Sequence, residues 1–180
     1  DYMRVLYARA GIPYSPFTGK PIQSQTVSQI VDKIKQLPKK ATIYLYAPVV
    51  RGRKGEYKKE ILSYKKRGFR KIKIDDTLYD IDKIPELNKK VKHHISVLVD
   101  RIVINSSLGN RLAEGIETSI NLSNGLLFVE YEDETLPKKY RKLEKLIFST
   151  KFACPESGFT IEEIEPRLFS FNSPFGACEE

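Results

Sequence analysis

Residues 51–73 read RGRKGEYKKEILSYKKRGFRKIK. The stretch holds eleven basic residues and two acidic ones, Glu56 and Glu60, a net +9 in a chain whose total is +8. Everything outside it therefore sums to −1. A concentration of that size implies an anionic partner or a heavily solvated face. The same residues carry a structural pattern. Residues 42–47, TIYLYA, are a short apolar run of strand type that should stop at Pro48. Residues 51–55 then form a loop, with Gly52 and Gly55 free to take positive φ. Residues 56–67 place Tyr57, Ile61, Leu62 and Tyr64 on a helical stripe, with Lys65, Lys66 and Arg67 at the end where cations suit the helix dipole. Gly68 ends the helix. Residues 69–75 alternate like a strand, Phe69, Lys71 and Lys73 on one face and Arg70, Ile72 and Ile74 on the other. The predicted unit is strand, basic loop, basic helix, basic strand.

Working outward, residues 1–10 predict a short helix and residues 11–23, with three prolines, a loop. Gly19-Lys20 lacks the remaining residues of a phosphate loop: Tyr14 stands where its first Gly should be and Pro21 where Ser or Thr should follow. Ser24 or Thr26 caps a helix to Leu37 whose inner face is Val27, Ile30, Val31, Ile34 and Leu37. Downstream, Asp75-Asp76-Thr77 makes a turn into a short strand at 78–81. Residues 94–105 are the clearest strand, their alternation changing after Asp100 as at a bulge. A helix over 108–122 closes on Asn124-Gly125, strands follow at 126–131 and 146–152, and residues 130–140 read as a charged surface loop. The expected fold is α/β in the α+β sense, a compact mixed sheet with packed helices over residues 26–149. Residues 1–25 and 150–180 flank it, and the whole reads as a fragment excised from something larger.

Composition excludes several classes. With 41% hydrophobic and 30% charged residues the chain is neither disordered nor membrane-spanning, and no apolar run approaches the ~18 residues of a span. Two cysteines, Cys154 and Cys178, make no disulfide framework and suit a reducing, cytoplasmic setting. A pI near 9.3 favours acidic partners. His93 and His94 are neighbours, so on a strand they point to opposite faces and cannot chelate one metal together. No nucleophile triad or carboxylate pair assembles from the sequence, and Asp75-Asp76 serves better as a turn than as an acid–base pair.

EPRLFSFNSPFGAC at 165–178, with KFACPESGF, YMRVLYARAGIP, QSQTVSQIVD, LYAPVVRGRKGEYKK, RGFRKIKID, VLVDRIVI and LAEGIETSI, resembles the bacterial UvrA family, the damage-recognition ATPase subunit of the UvrABC excinuclease. The matches cover almost the whole chain in the family's order. The resemblance implies an insertion in the first nucleotide-binding half whose globular part docks UvrB, with ATP hydrolysis, DNA binding and homodimer formation belonging to the full-length parent. It implies a non-enzymatic, monomeric piece without a cofactor of its own. The family's basic contact positions match Lys71 and Arg101; Arg51, Arg53, Lys54, Arg70 and Lys73 complete the expected partner-binding set. Lys71 stands where relatives carry Arg, keeping the charge but losing the planar fork. Where relatives carry a four-cysteine zinc module, this chain has Cys154, Ser157 and Cys178, and two thiols are too few for structural zinc. Zinc is therefore expected with the rest of the parent family and not here. The alternative to docking is a direct DNA-binding module using the basic face 51–73, since phosphates need only cations and Tyr57, Tyr64 and Phe69 could stack bases.

Overall fold

The computed structural model describes the chain apart from residues 1, 20, 23, 106–107, 133–142, 154–159, 162–163, 174–176 and 178–180. In chain order its elements are α1 (Tyr2–Ala10), α2 (Val27–Lys35), β1 (Thr42–Lys54), α3 (Lys58–Lys66), β2 (Lys71–Ile74), β3 (Thr77–Asp80), β4 (Lys92–Val103), α4 (Arg111–Ser123), β5 (Leu126–Glu132), β6 (Leu143–Ser149), β7 (Phe152–Ala153), β8 (Thr160–Ile161) and a 3-10 helix at Pro166–Phe169. These divide into two units, residues 25–150 and residues 1–24 with 151–180. In the smaller unit the Tyr7 ring of α1 lies 5.8 Å from that of Phe169, and β7 pairs with β8.

The larger unit is α+β. Its six strands run in the order β3-β2-β4-β1-β5-β6, and every pairing is antiparallel. Helix α2 starts on a capping box: the Thr26 hydroxyl accepts the Gln29 N–H at 3.2 Å, and the Gln29 side chain accepts the Thr26 N–H at 3.0 Å. The helical period then buries Ile30 and Ile34, which join Leu112 and Ile116 of α4 over Ile43, Leu45, Ile102, Ile104, Leu127 and Val129. A second cluster, Val50, Ile72, Ile74, Ile95 and Val97, is covered by Tyr57, Ile61, Tyr64 and Phe69. All three helices of this unit therefore pack on one face of the sheet.

Several local expectations change. β1 does not stop at Pro48 but continues to Lys54, so the expected basic loop is strand. β5 pairs with β1 only from Thr42 to Tyr46, which leaves that side of β1 open at Pro48, where the missing N–H forfeits no ladder bond. Gly52 sits at φ 58° in a bulge of this extension, opposite His94. Helix α3 begins later than expected because Tyr57 is left-handed, at φ 52°, with its hydroxyl donating to the Lys54 carbonyl at 3.1 Å. Leu62, expected on the inner stripe, is exposed. Phe69 precedes β2 and packs with Ile72 and Ile74 instead of sharing the lysine face. Glu130 lies inside β5 and is buried, not at the head of a surface loop.

Other expectations hold. Asp75 and Asp76 both take positive φ, 47° and 66°, the two-residue turn that matches strand twist between Ile74 and Thr77. The change of phase in β4 is a bulge: Leu45 faces Asp100 and Tyr46 faces Leu98, so Val99 is the extra residue. Burial accordingly moves from His93, Ile95 and Val97 to Ile102 and Ile104. Asn124 closes α4 at φ 59°.

Candidate functional site

Strand alternation sends a second set of side chains to the face that α2, α3 and α4 leave uncovered. On β1 these are Tyr44 and Tyr46; opposite them stand Arg101 and Leu98 on β4, and Glu130 and Phe128 on β5. Lys73 of β2 faces Ser96, and Lys145 of β6 faces Glu130. Three cations lie over three aromatic rings here: Arg101 over Tyr44 at 5.8 Å, Lys73 over Tyr46 at 5.5 Å and Lys145 over Phe128 at 4.1 Å from the ring centroid. Between them is a concavity of about 190 Å³ lined by Tyr46, Lys73, Asp76, His94, Ser96, Phe128, Glu130 and Lys145. Burial, and then the charge of Glu130, push the Tyr46 hydroxyl well above its ordinary value, so it stays a neutral donor.

The structure sorts the cations that the sequence grouped together. Lys71 and Arg101 are both exposed. Lys71 shares the face of Lys73 by alternation along β2, and Arg101 shares it through its pairing with Tyr44, so the two stand on the same open face. Asp100 does not engage the Arg101 guanidinium: it holds Arg111 of α4 through two bonds, Nε to Oδ2 at 2.9 Å and Nη2 to Oδ1 at 2.8 Å. Those bonds from Arg111 hold the Asp100 carboxyl below its ordinary value. Lys73 departs from the expected exposed set. Its ammonium reaches past the short Ser96 side chain to Glu130 Oε1 at 2.5 Å, both groups mostly buried, so its charge is already neutralised within the fold. Arg70 is exposed just before β2, and its carbonyl accepts the Ile81 N–H at 2.8 Å. On α3, Lys58 pairs with Glu86 at 2.9 Å and Lys65 with Asp82 at 2.5 Å, exposed pairs of small energetic weight.

Arg51, Arg53 and Lys54 lie apart from this set, on the far end of β1, where Arg53 faces His93 and Lys54 faces Lys92. His93 and His94 do point to opposite faces. His93 is buried and His94 exposed, and the His94 N–H donates to Asp75 Oδ1 at 2.8 Å. Cys154, Ser157 and Cys178 fall outside the described residues. Among the described residues no three His, Cys, Asp or Glu side chains gather in a way that could hold a metal ion, and no helix is long and apolar enough to cross a membrane.

Tyr44, Tyr46, Phe128, Glu130 and Lys145 were not picked out by the sequence reading. The period-2 signal was present at residues 43–46, IYLY, and 127–130, LFVE, where one parity is aliphatic and the other aromatic or charged. That pattern marks which residues leave the core, but only strand order brings the two sets side by side.

Comparison with known proteins agrees with the fold. Residues 25–133 match the family described as the UvrA interaction domain. The chain is 54% identical over 180 residues to the UvrABC system protein A of Rickettsia felis, with 99% of this chain and 19% of that protein covered. It is 53% identical over 189 residues to that of Mesorhizobium japonicum and 54% over 190 residues to that of Bradyrhizobium diazoefficiens, again covering 99% of this chain and 19% of each relative. The chain thus spans about a fifth of the length of these proteins. By the matched domain and by identity across nearly all of its length, the chain belongs to the UvrA interaction domain family.

Proposed function

We propose that this chain is the module by which a UvrA protein docks UvrB in nucleotide excision repair, and that the uncovered sheet face is the docking surface. The observation that carries this reading is the trio of cations held over aromatic rings on a face that α2, α3 and α4 leave uncovered. Aromatic residues and arginine are the side chains enriched in protein interfaces, and a rigid sheet presents them with little ordering cost. Lys71, Arg101 and Lys145 are exposed there, while Glu130 is occupied by Lys73, so the surplus charge is positive and suits an acidic patch on the partner. ATP hydrolysis is assigned to the rest of the parent protein, with this chain acting by recruitment alone. The test is surface-immobilised UvrB titrated with the purified chain and with an Arg101→Glu variant of unchanged melting temperature. Undiminished binding by that variant would remove the open face from consideration.

A further inference from the structure

The far end of the β1–β4 pair carries cations that the docking face does not use. Residues 48–55 hold Arg51, Arg53 and Lys54, residues 87–94 hold Lys89, Lys90 and Lys92, and neither segment contains a carboxylate. Arg53, Lys54, Lys89, Lys90 and Lys92 are all exposed, and among the described residues none of these five forms an ion pair. The nearby acids are already committed, Glu86 and Glu56 to Lys58, and Asp75 to His93. The strand register also sets two like charges against each other, with Lys54 directly opposite Lys92. Directly opposed like charges destabilise a ribbon. An anion lying along it would relieve that repulsion.

We infer that this two-stranded basic ribbon is a contact site for the phosphate backbone of double-stranded nucleic acid, distinct from the cation–aromatic trio proposed for docking. Its composition favours that ligand over an acidic protein. Protein interfaces are depleted in lysine and depend on buried aromatic or aliphatic anchors, whereas the ribbon is rich in lysine and bears no exposed Phe, Tyr or Trp. Tyr57, the nearest ring, is half-buried against the second core cluster and hydrogen-bonded to Lys54. Without a stacking platform the ribbon does not suit splayed single-stranded bases. A two-stranded ribbon has the width that a duplex groove admits, and alternate residues along an antiparallel strand repeat at about 7 Å, a spacing on which cations can follow a charged backbone.

The experiment measures anisotropy of a fluorescein-labelled duplex DNA titrated with the whole chain at several salt concentrations. The unaltered chain should bind with affinity falling log-linearly in salt, by about 0.9 in slope for each phosphate neutralised. Lys54→Glu with Lys92→Glu should weaken binding on the order of tenfold or more at low salt and flatten the slope by about 2. Lys54→Gln should weaken binding less and raise the melting temperature, since it removes the opposed charge; that result keeps the test informative if the double reversal misfolds. Reversing Lys58 and Lys65, or Lys71 and Arg101, should leave duplex binding within about twofold. Absence of duplex binding at low salt, equal binding by the Lys54→Gln chain, or tighter binding of a single strand than of the duplex would each overturn the inference. So would loss of UvrB binding, with duplex binding intact, in the ribbon variants. Loss of UvrB binding by Arg101→Glu with duplex binding intact separates the ribbon from the docking face.

Discussion

The His93 ring stands 2.7 Å from Asp75, Nδ1 to Oδ2, joining the start of β4 to the turn between β2 and β3. Its other nitrogen, Nε2, donates to the Asn88 carbonyl oxygen at 3.0 Å. Both ring nitrogens face acceptors, so the fold favours the doubly protonated imidazolium, and the Asp75 bond raises the His93 value above its ordinary 6.5. Asp75 moves the opposite way: desolvation works against it, but the bonds from His93 and the His94 N–H hold it below its ordinary 3.8.

The pH dependence follows from those directions. The His93 contribution is fully present below about 6.5 and is lost as pH rises through the raised folded value; the Asp75 contribution is present above about 3.8 and is lost as pH falls through the lowered one. The melting temperature should therefore decline as pH is raised from about 6 to about 9, and His93→Gln should flatten that decline. Scanning fluorimetry of both chains across this range checks it, and parallel curves would show that His93 is not the group responsible.

Docking should respond to charge on the open face. If the open face docks UvrB as proposed, Lys71→Glu or Arg101→Glu should weaken that binding by about tenfold or more, because each would set a carboxylate against the acidic patch the proposal requires. Lys58→Glu and Lys65→Glu should matter less, since those lysines are already paired with Glu86 and Asp82 on α3. Calorimetric titration of all four variants ranks them.

Lys73 and Glu130 should behave as a unit. Glu130→Ala leaves a mostly buried ammonium with only the exposed Asp76 carboxylate, 4.0 Å away, and should cost about 3 kcal/mol, whereas Lys73→Met with Glu130→Leu should cost much less. Urea unfolding of Lys73→Met, Glu130→Leu and their double variant gives the coupling directly. Additive losses would mean that the pair contributes nothing beyond its separate members.

Gly115 of α4 meets the sheet too closely for a larger residue. A Cβ there would sit 2.8 Å from Leu45 Cδ1, and Leu45 is fully buried. The gain of about 1 kcal/mol in helix propensity from Gly115→Ala is outweighed by overpacking of about 1–3 kcal/mol. Thermal unfolding should show a lower melting temperature, while Asn124→Gly, at a left-handed position, should be neutral or slightly stabilising.

The amino-acid sequence alone determined what depends on near neighbours. The capped helix with Ile30 and Ile34 inward follows from a 3.6-residue period behind a hydroxyl at Ser24 or Thr26, of which the structure uses Thr26. The Asp75-Asp76 turn follows from two residues that tolerate positive φ, and the phase change in β4 was visible as a break in alternation. The tertiary structure decided which charges are already partnered. Lys58, Lys65, Lys71, Lys73 and Lys54 belong to one basic stretch of sequence, yet Glu86, Asp82 and Glu130 neutralise three of them, while Lys71 stays on an open face and Lys54 opposes another lysine. Those fates depend on strand order and register. Lys73 meets Glu130, 57 positions away, only because β4 and β1 lie between β2 and β5. Periodicity reports which face a residue takes, because side-chain direction is local to its own strand. It carries no information about the residue opposite, because that neighbour is chosen by backbone pairing between segments distant in the chain.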